Sequence, residues 1–347
     1  MPEPQSGRIV VAGASAGGVE ALRALVAGLP ADLPAPVVVV IHLPPDARSM
    51  LPAILDRAGP LPATFAADRD ALQPGRLLVA PPDRQVVVLD GHVRVVDGPR
   101  ENLHRPAIDP LFRSAAHAYG PGVVAAVLSG SLDDGTEGLG VVRRLGGRTL
   151  VQDPTEAIFG DMPTNAIEAG VVEEIVATDQ LGPRIAALVA EPRHVPATVQ
   201  GESAGSNGGD GSEGEGEAER AVLTWDRWDP GRAGMQLSPF VCPDCHGTLW
   251  EADEDGVLHF RCRIGHAFSS RSLDAAQAAR LEQALAVALR ALDERVGLER
   301  RLERRARGTE RHRAAEHHGR RAHEAEAQMA SVKDLLRGIA AGDEATG

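Results

Sequence analysis

Between residues 8 and 190, short runs of β-branched and other apolar residues alternate with longer segments whose apolar positions recur every three or four residues. Strand and helix periods that alternate in this way predict a mostly parallel sheet with helices on its faces. The runs Arg8–Ala12, Val37–Ile41, Leu77–Ala80, Val86–Leu89, Val93–Val96, Val123–Leu128, Thr149–Gln152 and Val171–Val176 are read as strands. Val19–Leu29, Pro110–Tyr119, Thr136–Leu145 and Leu181–Val189 are read as helices, and Asp90-Gly91 between two apolar runs marks a hairpin. The expected fold class is α/β: a doubly wound, mostly parallel sheet with helices on both faces.

After Glu191 the pattern stops. Pro, Gly, Ser and Glu dominate, and Gly201–Arg220 holds six acids against one base, too little apolar surface to fold. Trp225 and Trp228 lead into a short cysteine-bearing unit over about Leu237–Phe268, with a hairpin turning at Asp253–Gly256. Leu281, Leu285, Leu289, Leu292, Val296 and Leu302 then lie on one face of a long helix, which continues rich in Arg and Glu toward Gly338. Four parts are expected: 1–190 as the main domain, 191–236 as linker, 237–271 as a zinc-ribbon-like unit and 272–340 as an amphipathic, Arg-rich helical segment.

The chain has 347 residues, 43% hydrophobic and 24% charged, which suits a folded protein of more than one unit. Only 3% are aromatic, so the core must be aliphatic and platforms for base stacking are few. Lys+Arg 36 against Asp+Glu 49 gives a net charge of −13, the wrong sign for holding a phosphate backbone, so no nucleic-acid partner is expected. Met1-Pro2-Glu3-Pro4-Gln5 does not read as a signal peptide and no apolar run is long enough to cross a bilayer. A cytoplasmic protein without membrane insertion is expected.

Candidate chemistry begins at Gly13-Ala14-Ser15-Ala16-Gly17-Gly18, a glycine-rich turn from strand to helix. A dinucleotide loop would need glycine where Ser15 stands and an acid at the end of the second strand, which instead reads Ile41-His42-Leu43-Pro44. Gly13-x-Ser15-x-Gly17 suits a nucleophile turn, which lifts a hydroxyl above the sheet with helix-start amides facing a developing oxyanion. Taken alone, Ser15 reads better as the cap of a tight strand-helix turn. His42 and Asp134 change the balance, because each follows another core strand and the carboxyl ends of parallel strands share one edge. A serine, a base and an orienting carboxylate are what acyl transfer at neutral pH requires. The order Ser…His…Asp argues against an ordinary α/β-hydrolase.

These residues resemble the protein-glutamate methylesterases of bacterial chemotaxis, the CheB type. The resemblance covers about residues 8–190. Besides the glycine-rich turn and Ile41-His42-Leu43-Pro44, it rests on Ala80-Pro81-Pro82-Asp83-Arg84, His104-Arg105-Pro106-Ala107-Ile108-Asp109, Leu128-Ser129-Gly130-Ser131-Leu132-Asp133-Asp134-Gly135 and Phe159-Gly160-Asp161-Met162-Pro163. It implies Ser15 as nucleophile, His42 as general base and acid, and Asp134 as the carboxylate that orients His42. It also implies hydrolysis of glutamate γ-methyl esters on methyl-accepting chemoreceptors with release of methanol, deamidation of glutamine by the same route, and no cofactor for catalysis. Many relatives carry Thr after the nucleophile; Ala16 here leaves the oxyanion to backbone amides. Many also bear an amino-terminal receiver domain, whereas the first strand here starts near Arg8, so that switch is expected to be absent.

Neighbouring residues have plainer readings. Asp133 is a rival orienter that also suits a solvated turn former. His104, Arg105 and Asp109 would position an acidic substrate segment, or serve as caps and ion pairs. Met162-Pro163 starts a helix at the active edge.

The three cysteines fall in one stretch. Cys242-Pro243-Asp244-Cys245 and Cys262-Arg263-Ile264-Gly265-His266 offer three thiols and an imidazole, the donor set of a closed tetrahedral structural zinc, with His246 and His259 as rivals for the fourth place. Three reduced thiols in a small apolar cluster would be the plainer alternative. Arg261, Arg263 and Arg271 beside the acidic Glu251–Asp255 turn make a poor phosphate footprint, so protein contact is the better expectation. The leucine stripe, with Arg300, Arg301, Arg304, Arg305 and Arg307 nearby, suits a signalling partner, self-association through the helix, or simply a solvated face. The alternative to an esterase is a catalytically silent signalling adaptor acting through the zinc unit and this helix.

Overall fold

In the computed structural model, residues 7–89, 91–191, 235–254 and 257–344 are described. The linker with Trp225 and Trp228, Asp90 of the first hairpin turn, and Asp255 and Gly256 of the second lie outside them. The elements of the first part are β1 (Ile9–Ala14), α1 (Gly18–Ala27), β2 (Val37–Ile41), α2 (Leu51–Ala58), β3 (Ala63–Phe65), β4 (Leu77–Val79), β5 (Gln85–Leu89), β6 (His92–Val96), α3 (Ile108–Tyr119), β7 (Val123–Val127), α4 (Thr136–Arg144), β8 (Arg148–Gln152), α5 (Asp161–Glu168), β9 (Glu174–Val176) and α6 (Leu181–Ala190). Seven strands form one sheet in the order β3-β4-β2-β1-β7-β8-β9, every neighbouring pair parallel.

Successive strand side chains face opposite sides, so each central strand feeds two cores. Val10, Ala12, Val37, Val39 and Ala126 pack with Leu22 and Leu25 of α1, Leu55 of α2 and Ile185 and Leu188 of α6. Val11, Val38, Val40, Ala125 and Val127 pack with Leu111 and Phe112 of α3, Leu139 of α4 and Met162 of α5. This is the expected doubly wound sheet with helices on both faces. The hairpin β5–β6 pairs antiparallel as a separate two-stranded sheet beneath the second core.

Two short elements carry too little pattern to be read in advance. In α2 only Leu51, Pro52 and Leu55 are buried, and β3 is three residues long with Thr64 and Phe65 exposed. The expected strand Val171–Val176 shrinks to Glu174–Val176, because Gly170 turns the chain with positive φ and Val171 and Val172 pack into the second core instead.

The cysteine-bearing segment forms a four-stranded antiparallel sheet of β10 (Gln236–Val241), β11 (Thr248–Glu254), β12 (Val257–Cys262) and β13 (Ala267–Ser269). Its core is small: Cys242, Leu249, Phe260, Cys262, Phe268 and Leu273, with Leu103 and Cys245 against it. This sheet and the α/β domain belong to one compact unit that ends at Leu273.

The second unit starts at Asp274. It is not one continuous helix. α7 (Ser270–Gly308) stops at Gly308, Glu310 takes a positive φ, and α8 (His312–Glu344) follows. A left-handed residue after glycine ends a helix by turning the chain out of it. Within this unit Glu299 pairs with His318 and Arg321, and Arg300 with Glu326, while Ala306, Ala315, Ala322 and Ala325 are buried. The leucine stripe is half-covered: Leu285, Leu289 and Leu292 are partly buried and Leu281 is exposed. No helix among the described residues is long and apolar enough to cross a membrane.

Candidate active site

The chain leaves the central strand β1 toward β2 on one side and later toward β7 on the other, so the crevice of this sheet opens at the carboxyl ends of these three strands. Ser15 follows β1, His42 follows β2, and Ser129 and Asp134 lie on the connection from β7 to α4. The Ser15 amide donates to the Ser129 carbonyl at 2.9 Å and the His42 amide to the Ala14 carbonyl at 3.1 Å, so backbone bonds that extend the sheet hold both residues. Gly17 has φ 70°, and a Cβ there would lie 2.6 Å from Ile158 Cβ; this turn requires glycine. A Cβ on Gly130 would meet Met162 Sδ at 2.1 Å and Ser15 Cβ at 2.8 Å, so the missing side chain lets α5 close against the serine.

Three residues distant in the chain meet here. His42 Nδ1 lies 3.0 Å from Ser15 Oγ, and His42 Nε2 lies 2.7 Å from Asp134 Oδ2. His42 and Asp134 side chains are only 4% and 2% exposed, so their hydrogen bond is screened by little water. Asp134 accepts two backbone amides as well, Ile108 N to Oδ2 at 2.7 Å and Asp109 N to Oδ1 at 3.2 Å. Burial raises its pKa, but the hydrogen bond and charge of His42 and the Ile108 amide outweigh it and hold the carboxyl well below the usual range. An ionised Asp134 accepts the Nε2–H, which leaves the Nδ1 lone pair facing the serine hydroxyl.

His104 stacks on His42, ring centroids 3.5 Å apart and planes within 9°. Burial and the neighbouring His42 push its pKa down to about 4, so it is a neutral plate that fixes the plane of the His42 ring. Arg105 pairs with Asp83 at 2.6 Å and donates to the Gly98 carbonyl, a structural anchor. Asp109 is buried, accepts from the Gly138 amide, and is pushed well up by burial and by the nearby Asp134 and Glu137. Asp133 does not reach His42. Its carboxylate accepts from Ser269 Oγ at 2.8 Å, and burial raises its pKa, so it is not a solvated turn residue.

Two residues that act in this site had no role in the sequence reading. Ser129 Oγ donates to the Ala16 carbonyl at 2.7 Å and accepts the Phe159 amide at 3.0 Å, tying the serine turn to the loop before α5. Asn102 donates to Asp134 Oδ1 at 3.2 Å and Asp109 Oδ2 at 2.8 Å. The run Leu128-Ser129-Gly130 was visible as a motif; nothing in the sequence pointed to Asn102.

The profile of the CheB methylesterase family matches residues 10–185, half of the chain. The chain belongs to the CheB methylesterase family. A protein-glutamate methylesterase/protein-glutamine glutaminase of Anaeromyxobacter dehalogenans is 43% identical over 191 residues, 54% of this chain and 53% of that protein. One of Xanthomonas euvesicatoria pv. vesicatoria is 39% identical over 190 residues, again 54% and 53%. The chain thus spans about half the length of these curated relatives. The CheB methylesterase catalytic domain of Thermotoga maritima is 31% identical, with a TM-score of 0.51, and is covered in full by 53% of this chain. The CheB-type fold is therefore that of the α/β domain, and the matched segment contains Ser15, His42 and Asp134.

A second cluster lies in the antiparallel sheet. The ligand atoms of Cys242, Cys245, Cys262 and His266 all lie within 4.8 Å of one another. Cys245 Sγ is 3.6 Å from Cys262 Sγ, and His266 Nδ1 is 3.6 and 3.5 Å from the sulfurs of Cys242 and Cys262. A tetrahedron with metal–sulfur bonds of about 2.3 Å has edges of about 3.8 Å, so the spacing fits one zinc ion. Two tight turns form the knuckles, with His246 N bonded to the Cys242 carbonyl and Gly265 N to the Cys262 carbonyl. Of the rival fourth ligands, His259 faces Glu137 at 3.5 Å and neither it nor His246 joins the cluster.

Proposed function

We propose that this chain is a protein-glutamate methylesterase that hydrolyses glutamate γ-methyl esters on the cytoplasmic domain of methylated chemoreceptors, through Ser15, His42 and Asp134. The observation that carries the reading is the buried relay of 3.0 Å from Ser15 Oγ to His42 and 2.7 Å from His42 to Asp134. The names of the relatives support the substrate class.

In this mechanism Ser15 Oγ attacks the ester carbonyl carbon while its proton passes to His42 Nδ1, and Asp134 stabilises the imidazolium through Nε2–H. Collapse of the tetrahedral intermediate breaks the bond to the methoxy oxygen, which takes the proton from Nδ1 and leaves as methanol. Water, deprotonated by the same nitrogen, releases free glutamate and restores the serine. The oxyanion falls to backbone amides of the turn that follows Ser15; among these the Gly18 amide is already bonded to the Ser15 carbonyl at 3.0 Å, which leaves the amides of Ala16 and Gly17 as the donors in this reading. A glutamine side chain is deamidated by the same sequence with ammonia as leaving group. Ile158 beside Gly17 and the adjacent Phe159 are 61% and 45% exposed, an apolar rim suited to docking a protein surface.

Catalysis needs no cofactor in this reading. Zinc at Cys242, Cys245, Cys262 and His266 is structural, since four protein donors leave no place for a reactive water. The parts 1–190, 191–236, 237–271 and 272–340 serve as catalytic domain, linker, zinc unit and helical docking arm, the last for a signalling partner or self-association, in a cytoplasmic protein. The test is direct. An aryl fluorophosphonate should label the full chain but not Ser15→Ala, and methanol release from a methylated receptor fragment should vanish in that variant; labelling that survives Ser15→Ala, or methanol release unchanged by it, overturns the reading.

A further inference from the structure

The metal-binding sheet ends against the candidate active site. β13 lies along residues 100–102: Asn102 N donates to the Ala267 carbonyl at 2.9 Å, and Ala267 N to the Arg100 carbonyl at 3.3 Å. The contact continues through one side chain. Asn102 Oδ1 accepts the Ser269 amide and the Ser272 hydroxyl, both at 2.9 Å. Two donors on the same oxygen leave the amide only one orientation, with Nδ2 toward the carboxyls. There Nδ2 stands between Asp134 Oδ1 at 3.2 Å and Asp109 Oδ2 at 2.8 Å.

Every member of this chain is nearly shielded from water: Asn102 is 6% exposed, Ser272 0%, Asp109 and Asp134 1% each. Asn102 also adopts a positive φ of 48°, a left-handed conformation that asparagine takes more readily than most residues outside glycine. Without its Nδ2–H, Asp134 Oδ1 would keep only the Asp109 amide, and Asp109 Oδ2 would lose the donor it shares with Asp134. The position of Asp134 sets the tautomer and plane of His42, so this is leverage on the reacting base.

We propose that Asn102 is a positioning residue for Asp134 and that the metal-binding sheet, through Ser269 and Ser272, sets its orientation, so that seating of this sheet and competence of the serine site are one equilibrium. The proposal rests on the reading of Ser15, His42 and Asp134 given above. It assigns the sheet a part in turnover rather than in docking alone, and it predicts that whatever unseats β13 disarms the serine without touching it.

The test uses the full chain and three variants: Asn102→Ala, Ser269→Ala/Ser272→Ala, and all three changes together. Two quantities are read, the rate of phosphonylation of Ser15 by an aryl fluorophosphonate and the low-field proton resonance of the His42 Nε2–H bonded to Asp134. Asn102→Ala should slow labelling about ten- to a hundredfold. The serine pair should slow it in the same direction, and the triple variant should be no slower than Asn102→Ala, because all three changes break one relay. The resonance should shift or vanish in all of them. Should Asn102→Ala fail to fold, the serine pair, which keeps Asn102, carries the test. Unchanged rates and an unchanged resonance overturn the proposal, as do losses that simply add. A wild-type protein that resists the phosphonate but whose resonance moves in the variants supports the positioning role and overturns Ser15 as nucleophile.

Discussion

The α/β domain and the cysteine-bearing sheet reach a fixed geometry by different physics. The first buries two aliphatic layers, one on each side of a seven-stranded sheet, and its site geometry follows from where the strands end. The second has six buried core residues, two of them cysteines, and a tight group of four soft or borderline donors. A core that small does not by itself offset the conformational entropy of about thirty ordered residues, and an ion held by these four donors would add folding energy that the apolar residues do not. Hydrophobic burial is spread over many residues and degrades gradually; ligation is concentrated in four and fails at once.

The largest effect expected from this contrast is metal removal. A strong chelator, or Cys242→Ser, should withdraw about 10–16 kcal/mol of apparent ligation energy from the sheet. Hydrogen exchange should then rise sharply over 236–269 while β1 and β7 stay protected. Exchange that rises equally in both regions would erase the distinction. Next in size, Asp134→Asn should lower turnover by about 10⁴ by imposing the wrong tautomer on His42, with the fold intact by circular dichroism. Phe112→Ala, at the centre of the second apolar layer, should cost about 3–5 kcal/mol, read as a shifted urea midpoint of the α/β domain.

A fourth prediction concerns pH. His104 has its pKa pushed down to about 4 in the folded protein, against an ordinary value of 6.5. Below pH 6.5 the unfolded chain takes up a proton that the folded chain refuses, so stability is full above that pH and falls as pH drops toward 4. The loss is on the order of 3 kcal/mol. Urea midpoints measured between pH 7 and 4 should fall less steeply in His104→Gln. The smallest effect belongs to Arg271→Ala: its 2.9 Å pair with Glu168 joins side chains 55% and 60% exposed, and such a pair contributes about 0–1 kcal/mol. The two serines beside it, Ser269 and Ser272, are buried against Asn102 and should matter far more.

Much of this was legible in advance. Val37–Ile41 was read to the residue, and β1, β4, β7 and β8 to within one or two, because a strand buried on both faces must be a continuous apolar run. Ser15, His42 and Asp134 could be proposed because each stands next to a strand end, and parallel strand ends share an edge. α2 and β3 escaped because their few buried residues leave no period to detect. The long helix of the leucine stripe is present as Ser270–Gly308, and its Arg/Glu-rich continuation forms a second helix; the break escaped because one glycine followed by a left-handed residue is a weak mark within an Arg/Glu-rich run.

The amino-acid order by itself determined what depends on local period and residue chemistry: the alternation of strands and helices, the serine turn that only glycine permits, and three thiols and an imidazole at metal-ligand spacing. Only the tertiary structure decided which groups far apart in the chain share a proton or a charge. That Asp134 rather than Asp133 reaches His42, that His104 lies flat on it, and that Asn102 joins Ser269 and Ser272 to Asp134 depend on directions and distances of a few ångströms. Hydrogen bonds and stacking are sensitive to displacements that hydrophobic patterning does not encode, so these contacts exist only once the layers and the small sheet have packed.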